Sequence, residues 1–394
     1  MTPALTIGGL FEGYGGLTMG VQAALGGRLA WYSEIDPAAN KVLARHHPDV
    51  PNLGDVTTVD WTRVERPDIL TGGFPCADVS TAGRREGLRK GNRSGLWRSM
   101  ADAIEVLRPD LVVVENVRGL LSTRADGDLE PCAWCVGDER PVVLRALGRV
   151  LGDLADIGFD AEWRGLPASW AGAPHGRFRV FIIAWPAGHP PYGLGGYPET
   201  GRGDWGRLEA QADALLPTPD AYSAHRGGAQ SPERRRAGNH SVTLQDEVVA
   251  RPPIPELLPT PKSSDGTHGG PNQRGSSGDL PLPSMVLRLS PTQKSPAGRG
   301  GPAPAEPPVQ WGRFEPAIRR WERILGRPSP PPAIAGKRGA RRLSHFFVEW
   351  MMGLNEGHVT AVPDVPRNDA LRILGNGVVP MQAAMAVSHL LSRL

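Results

Sequence analysis

The run Asp110-Leu-Val-Val-Val-Glu-Asn-Val-Arg118 constrains the fold most, because it is a short hydrophobic stretch ending in a carboxylate where a strand should emerge. A second run of this kind precedes it. Residues 72–80, Gly-Gly-Phe-Pro-Cys-Ala-Asp-Val-Ser, put Cys76 directly after a proline, between an apolar strand and a loop rich in glycine and arginine. A thiol held at a strand end by a rigid proline is poised as a nucleophile, whereas a structural cysteine usually sits among aliphatics inside an element. In open α/β sheets ligands bind beyond the carboxyl ends of the strands, so Cys76 and Glu115 are expected to face one crevice.

The N-terminal pattern adds a binding loop. Leu5-Thr-Ile-Gly-Gly-Leu-Phe-Glu-Gly-Tyr-Gly-Gly-Leu17 reads as a short strand running into glycines and then a helix pattern through Leu25. Glycines there let a ligand approach the backbone. The next strand, Leu29-Ala-Trp-Tyr-Ser-Glu-Ile-Asp36, ends in a carboxylate at the spacing that binds ribose hydroxyls, and Asp55 in Leu53-Gly-Asp-Val56 is placed to hold an adenine amino group. Farther on, Gly172-Ala-Pro-His-Gly-Arg-Phe-Arg-Val180 sets Arg177 and Arg179 on one face of a strand that continues to Ala184. Two arginines on one face suit an anionic or base-edge ligand.

With these motifs in this order, and with Gly375-Asn-Gly-Val-Val379 after them, the chain resembles the bacterial and bacteriophage DNA cytosine-5 methyltransferases over residues 5–185 and 341–394. The resemblance implies an α/β fold, a doubly wound, mostly parallel class I S-adenosylmethionine-dependent methyltransferase sheet with a smaller, loop-rich target-recognition domain. It implies a catalytic and cofactor-binding domain over 1–185, the recognition domain over 186–340, and a segment, 341–394, returning to the catalytic domain. The cofactor implied is S-adenosyl-L-methionine. Phe11 would stack on its adenine, Glu34 would take the ribose and Asp55 the adenine edge. Gly13, Gly15, Gly16, Leu17, Ile35 and Val56 would line the same pocket, which Asn376 and Val378 would close. Cys76 would be the nucleophile, Glu115 the acid at cytosine N3, Arg179 a contact to cytosine O2, and Arg177 would steer the backbone.

The chemistry supports that assignment. Cytosine C5 is too electron-poor to attack a methyl sulfonium until a nucleophile adds at C6, and the electron density then pushed onto the ring needs an acid at N3. A buried carboxyl has its pKa raised by desolvation, which suits a donor. C6 is hidden in a stacked duplex, so the base must be flipped out.

Three positions depart from the family pattern. Ala77 follows the nucleophile and His175 begins the arginine strand, where the family has glutamine; both are read as affecting DNA contacts more than bond making. Glu12 stands where the cofactor loop normally carries a small residue. It is expected to face solvent, as carboxylates generally do, the alternative being an altered pocket for a modified S-adenosylmethionine.

The chain has 394 residues, a formal charge of +3 and three cysteines, with no signal-peptide pattern and no apolar run judged long enough to span a bilayer. A bacterial or phage-infected cytoplasm, close to the nucleoid, is expected, with a monomer acting on duplex DNA and a cognate restriction endonuclease as partner in function only. The +3 charge is too small to argue nucleic-acid binding, but its placement is not: Arg84, Arg85, Arg89, Lys90 and Arg93 crowd the loop after Cys76, beyond Ser80. That loop reads as a lid over DNA, its cations meeting phosphates. Cys132-Ala-Trp-Cys135 lacks a second pair to complete a zinc site, so two free thiols are expected and no metal.

From Pro186 to about Gly339 the chain is dense in proline, glycine, serine and arginine. It holds a repeat, Leu215-Leu-Pro-Thr-Pro-Asp220 and Leu257-Leu-Pro-Thr-Pro-Lys262, each followed by His and Gly-Gly. His225, Arg226, His268 and Arg274 are candidate DNA contacts there, of side-chain types that read base edges. Leu343, Phe346, Phe347, Trp350, Met351 and Leu354 recur at helical spacing and predict a core-facing helix. An apolar helix over Met381–Leu394 is expected beside the N-terminal helix. RNA cytosine-5 methylation and a catalytically idle DNA-binding protein are the competing functions; the long recognition segment favours DNA, and retention of both Cys76 and Glu115 favours catalysis.

Overall fold

A computed structural model describes residues 4–75, 95–121, 146–191, 256–267, 273–274, 279–289, 309–336 and 341–394. Strand β1, Thr6–Leu10, leads through a glycine turn into α1, Gly16–Leu25, followed by β2, Arg28–Ser33, and α2, Pro37–His46. The start of α2 is encoded locally: Asp36 accepts hydrogen bonds from the Ala38 and Ala39 amides, and Pro37 takes the first helical position, where its missing N–H costs nothing. Next come β3, Ile69–Gly72; α3, Leu96–Leu107; β4, Leu111–Val117; α4, Ala146–Asp156; β5, Phe159–Pro167; and β6, Phe178–Pro186.

These six strands form one sheet in the order β2-β1-β3-β4-β6-β5. β1 to β4 are mutually parallel, and β6 lies antiparallel between β4 and β5. Both faces are covered, which is why β3 and the body of β4 read as unbroken apolar runs. Ile7, Ile69, Leu111, Val113, Phe181 and Ile183 face α1 and the C-terminal helix, while Leu70, Val112, Val114, Val180 and Ile182 face α3 and α4. The sheet is therefore mostly parallel and doubly wound, as expected.

The later part of the chain adds α5, Leu282–Leu289; α6, Glu315–Leu325; the hairpin β7, Ala333–Ala335, with β8, Arg341–Leu343; α7, His345–Met351; α8, Arg367–Asn376; and α9, Pro380–Leu391. Helix α9 packs along α1, so the expected return of the C-terminus beside the N-terminal helix is observed. Around α7, Leu343, Phe347, Trp350, Met351 and Leu354 are buried with Trp321. Phe346 departs from the expected core face and is 44% exposed, one position along the helix from the buried stripe.

Residues Arg367–Leu391 are long and apolar enough to cross a membrane by length and composition, which corrects the sequence reading, but 67% of the most apolar 18 residues is buried inside the protein. Two units divide the chain. One comprises Met1–Gly196 with Leu257–Leu394; the other, Tyr197–Glu256, lies outside the described residues except for Glu256. Within the first unit the second repeat is built into the core. Leu258 is buried and bridges to His175, and a Cβ on Gly375 of α8 would lie 2.2 Å from the backbone at Lys262 and Ser263.

Candidate active site

The strand register brings the acid and one arginine together. On β4 and β6, Glu115 lies opposite Phe181 and Val117 opposite Arg179, so Glu115 and Arg179 are diagonal neighbours on one face of the sheet. Arg179 Nε sits 2.6 Å from Glu115 Oε1, with both side chains nearly buried. Burial pushes the Glu115 pKa up and Arg179, then Arg177, pull it back. The parallel pairing of β3 with β4 continues past the last paired residues: a Cβ at Gly73 would lie 3.1 Å from Glu115 Oε2, and Asn116 Nδ2 donates to the Phe74 carbonyl at 3.2 Å. Gly73 and Phe74, just past the end of β3, thus lie beside Glu115 and Asn116. Cys76 itself lies outside the described residues, as do Ser80, Arg84, Arg85, Arg89, Lys90, Arg93, Cys132, Cys135, His225, Arg226 and His268. Arg274 is described and exposed.

Arg177 has a different post from its neighbour. It is 2% exposed, and its guanidinium donates to the carbonyls of Pro261, Gly375, Asn376 and Gly377, the last at 2.6 Å. Burial lowers its pKa, but four carbonyl acceptors favour the charged form. Arg177 therefore straps α8 and the Gly375-Asn-Gly turn to the end of β6. Gln382 of α9 completes the strap by donating to the Leu166 and Arg177 carbonyls. His175 is fully buried, its Nε2 facing the Met351 carbonyl at 3.1 Å and its pKa pushed down to about 3 by burial, so it is a neutral framework residue and not a surface one. This corrects the reading that tied it to DNA contacts.

The glycine loop lies at the ends of β1 and β2. Phe11, Gly13 and Gly15 all have positive φ, and Phe11 N donates to the Ser33 carbonyl at 3.0 Å. The loop is clamped from the C-terminal side: Tyr14 Oη donates to the Val378 carbonyl at 2.5 Å, and a Cβ on Gly16 would meet that same oxygen at 2.3 Å. Leu17 and Val56 are buried beneath the loop and the Asp55 turn, respectively. Glu34 follows β2 with Oε2 accepting from the Gly13 amide at 2.7 Å and Oε1 from the Ile35 and Asp36 amides. Ile35 is 67% exposed, an apolar side chain held out next to that carboxylate. Asp55 is exposed, with Oδ1 accepting from the Thr57 amide and hydroxyl, bonds that lower its pKa. Asn376 is exposed at the end of α8 and Val378 is buried against the loop. Phe11, Gly13, Gly15, Gly16, Glu34, Ile35 and Val378 are thus gathered around one loop system.

Glu12 overturns its expectation. It is buried, not solvent-facing: Oε1 accepts from the Thr18 hydroxyl at 2.6 Å and the Thr71 hydroxyl at 3.1 Å. Sequence reasoning passed over both threonines and Gln382. Gly9 was the available signal, since a Cβ there would lie 2.1 Å from Glu12 Oε1 and only glycine leaves room for the carboxyl group.

The sheet order and the glycine loop at the strand ends define a class I S-adenosylmethionine-dependent methyltransferase fold. The solved structure of Dnmt2 methyltransferase from S. pombe shares it, with a TM-score of 0.53 at 13% identity over 99% of each chain. Residues 5–194 match the family model described as C-5 cytosine-specific DNA methylase. The chain is 30% identical over 175 residues to the type II methyltransferase M.MspI of Moraxella sp, covering 44% of this chain and 37% of that protein. It is 38% identical over 128 residues to a DNA N-6-adenine-methyltransferase of Escherichia phage P1, covering 28% of this chain and 17% of that protein. The chain thus spans well under half the length of these relatives.

Proposed function

We propose that this chain transfers a methyl group from S-adenosyl-L-methionine to C5 of a flipped-out cytosine in a specific duplex DNA sequence, through a covalent adduct at Cys76. The buried Glu115–Arg179 pair carries the reading. It puts a carboxyl group of raised pKa and a guanidinium at the ends of β4 and β6, beside the β3 end that leads three residues from Gly73 to Cys76.

In this reading the Cys76 thiolate adds to C6, Glu115 protonates or hydrogen-bonds N3, and Arg179 holds both Glu115 and the cytosine O2. Arg177 acts as the strap described above. The cofactor supplies an electrophilic methyl group. Glu34 and the glycine loop fit it, because the carboxylate is already fixed by amides and stands beside the exposed Ile35 and the positive-φ turn. After transfer the C5 proton leaves to a base and the thiolate is expelled, restoring aromaticity. Target recognition falls to residues 186–340, and the arginine loop after Cys76 meets phosphates.

Adenine N6 methylation, raised by the phage relative's name, is the second reading. Attack by an exocyclic amine needs no C6 adduct, so a thiol following β3 in the sequence and a paired acid on β4 favour cytosine. Base-resolution mapping of both modifications in DNA from bacteria expressing the chain tests the two together. Methylation at C5 of cytosine in one sequence context is expected; N6-methyladenine alone, or no modification, contradicts the proposal.

A further inference from the structure

The reaction above leaves one buried ionisable group of the cofactor loop unused. Glu12 is 7% exposed, and while Oε1 is held by Thr18 of α1 and Thr71 of β3, Oε2 is buried with no hydrogen-bond partner. A Cβ at Gly15 would lie 3.9 Å from that oxygen, so the free acceptor faces the glycines of the loop. The charge acting on Glu12 is Glu34, from the end of β2, another anion. Tyr14, the loop's other titratable group, turns its hydroxyl to Val378. Among the described residues no lysine or arginine pairs with Glu12. A buried acceptor left unsatisfied costs about 1–3 kcal/mol, and a framework role gives no return for it.

We propose that Glu12 is a cofactor-contacting carboxylate whose free Oε2 meets the positive charge of S-adenosylmethionine, the group losing its proton to solvent as the cofactor binds. The inference rests on the cofactor assigned above. Without the cofactor, burial and then Glu34 hold the proton on, raising the pKa to about 7 against the opposing pull of the two threonine hydroxyls. A cation within reach favours the ionised form. The free protein is mostly protonated at pH 6, about half protonated at pH 7 and ionised by pH 8.5. Proton release on binding therefore falls from near one to near zero across that range, and cofactor affinity climbs with pH until it levels above pH 7.

Calorimetric titration of the full chain with S-adenosylmethionine, repeated at pH 6, 7 and 8.5 in buffers of different ionisation enthalpy, counts those protons. Glu12→Gln is expected to bind about a hundredfold more weakly at pH 8.5, the equivalent of the roughly two pKa units that near-complete release at pH 6 requires, and to lose the pH-dependent release. Thr18→Val, which removes a donor to Oε1, is expected to move the half-release point to higher pH. Binding without proton release in the wild type, or with the same release in Glu12→Gln, overturns the Glu12 proposal alone. Absence of binding by the wild type overturns both it and the cofactor assignment.

Discussion

Glu115 on β4 and Arg179 on β6 are diagonal partners across an antiparallel pair, joined at 2.6 Å between Nε and Oε1. Burial raises the pKa of the Glu115 carboxyl group and Arg179 opposes that rise, leaving it raised on balance. In the proposed reaction this is the group that shares or donates a proton to a ring nitrogen.

Glu115→Gln keeps the shape and a hydrogen-bond donor but loses the titratable proton. Turnover is expected to fall by roughly two or more orders of magnitude, the scale of lost general-acid assistance, with cofactor affinity unchanged. The wild-type rate should fall as pH rises through the raised Glu115 pKa, and that limb should vanish in the variant. Steady-state rates across pH, with calorimetry for cofactor binding, check both.

Arg177→Ala would leave the carbonyls of Pro261, Gly375, Asn376 and Gly377 without their shared donor. A buried acceptor left unsatisfied costs about 1–3 kcal/mol, so a fall of several degrees in Tm is expected. Arg179→Ala, by contrast, should reduce turnover far more than it reduces Tm. Thermal unfolding beside activity separates the two roles.

Glu12 gives a pH signature in stability. Its folded pKa, about 7, lies above the ordinary 4.5, so its contribution is fully present below pH 4.5 and is lost as pH rises through 7. The loss totals roughly 3 kcal/mol at 1.36 kcal/mol per unit. Without cofactor, Glu12→Gln should therefore match the wild type in denaturant stability near pH 5 and exceed it at pH 8.5. Equal stability at pH 8.5 would contradict the buried placement.

Gly377→Ala tests the clamp on the loop. A Cβ there would lie 1.9 Å from Tyr14 Cε1, and the tyrosine has no free space while bonded to Val378. Cofactor binding is expected to weaken by at least tenfold with the sheet intact by circular dichroism.

Strands β1 to β4 were legible because both faces of the sheet are covered, which writes the body of β4 as an aliphatic run, and because glycine or charge lies at or just beyond their ends; β5 carries no such mark and was not singled out. The positions of Glu115 and the glycine loop followed from that, while the roles expected of them and of Arg179 came from the family resemblance. Alternation expected Arg177 on the face of Arg179, but Arg177 precedes β6, and nothing local announces its acceptors from residues 261 and 375–377, which arrive only through tertiary packing. Glu12 was misjudged for the same reason. The average carboxylate is exposed, but the space for this one is made by Gly9 and its donors come from Thr18 and the distant Thr71. The second Leu-Leu-Pro-Thr-Pro repeat shows the limit of composition, since a stretch dense in proline and glycine, expected to serve target recognition, places Leu258 in the core beside His175.

Covalent trapping tests the central claim most directly. Duplex DNA carrying 5-fluorocytosine at the mapped target, incubated with the full chain and S-adenosylmethionine, blocks the final step because fluorine cannot leave as a proton does. A stable protein–DNA adduct is expected, located at Cys76 by peptide mass analysis and absent in Cys76→Ser, while that variant keeps DNA binding within about tenfold. Methyl transfer by Cys76→Ser at the wild-type rate, or no adduct with cognate DNA and cofactor present, would contradict the account.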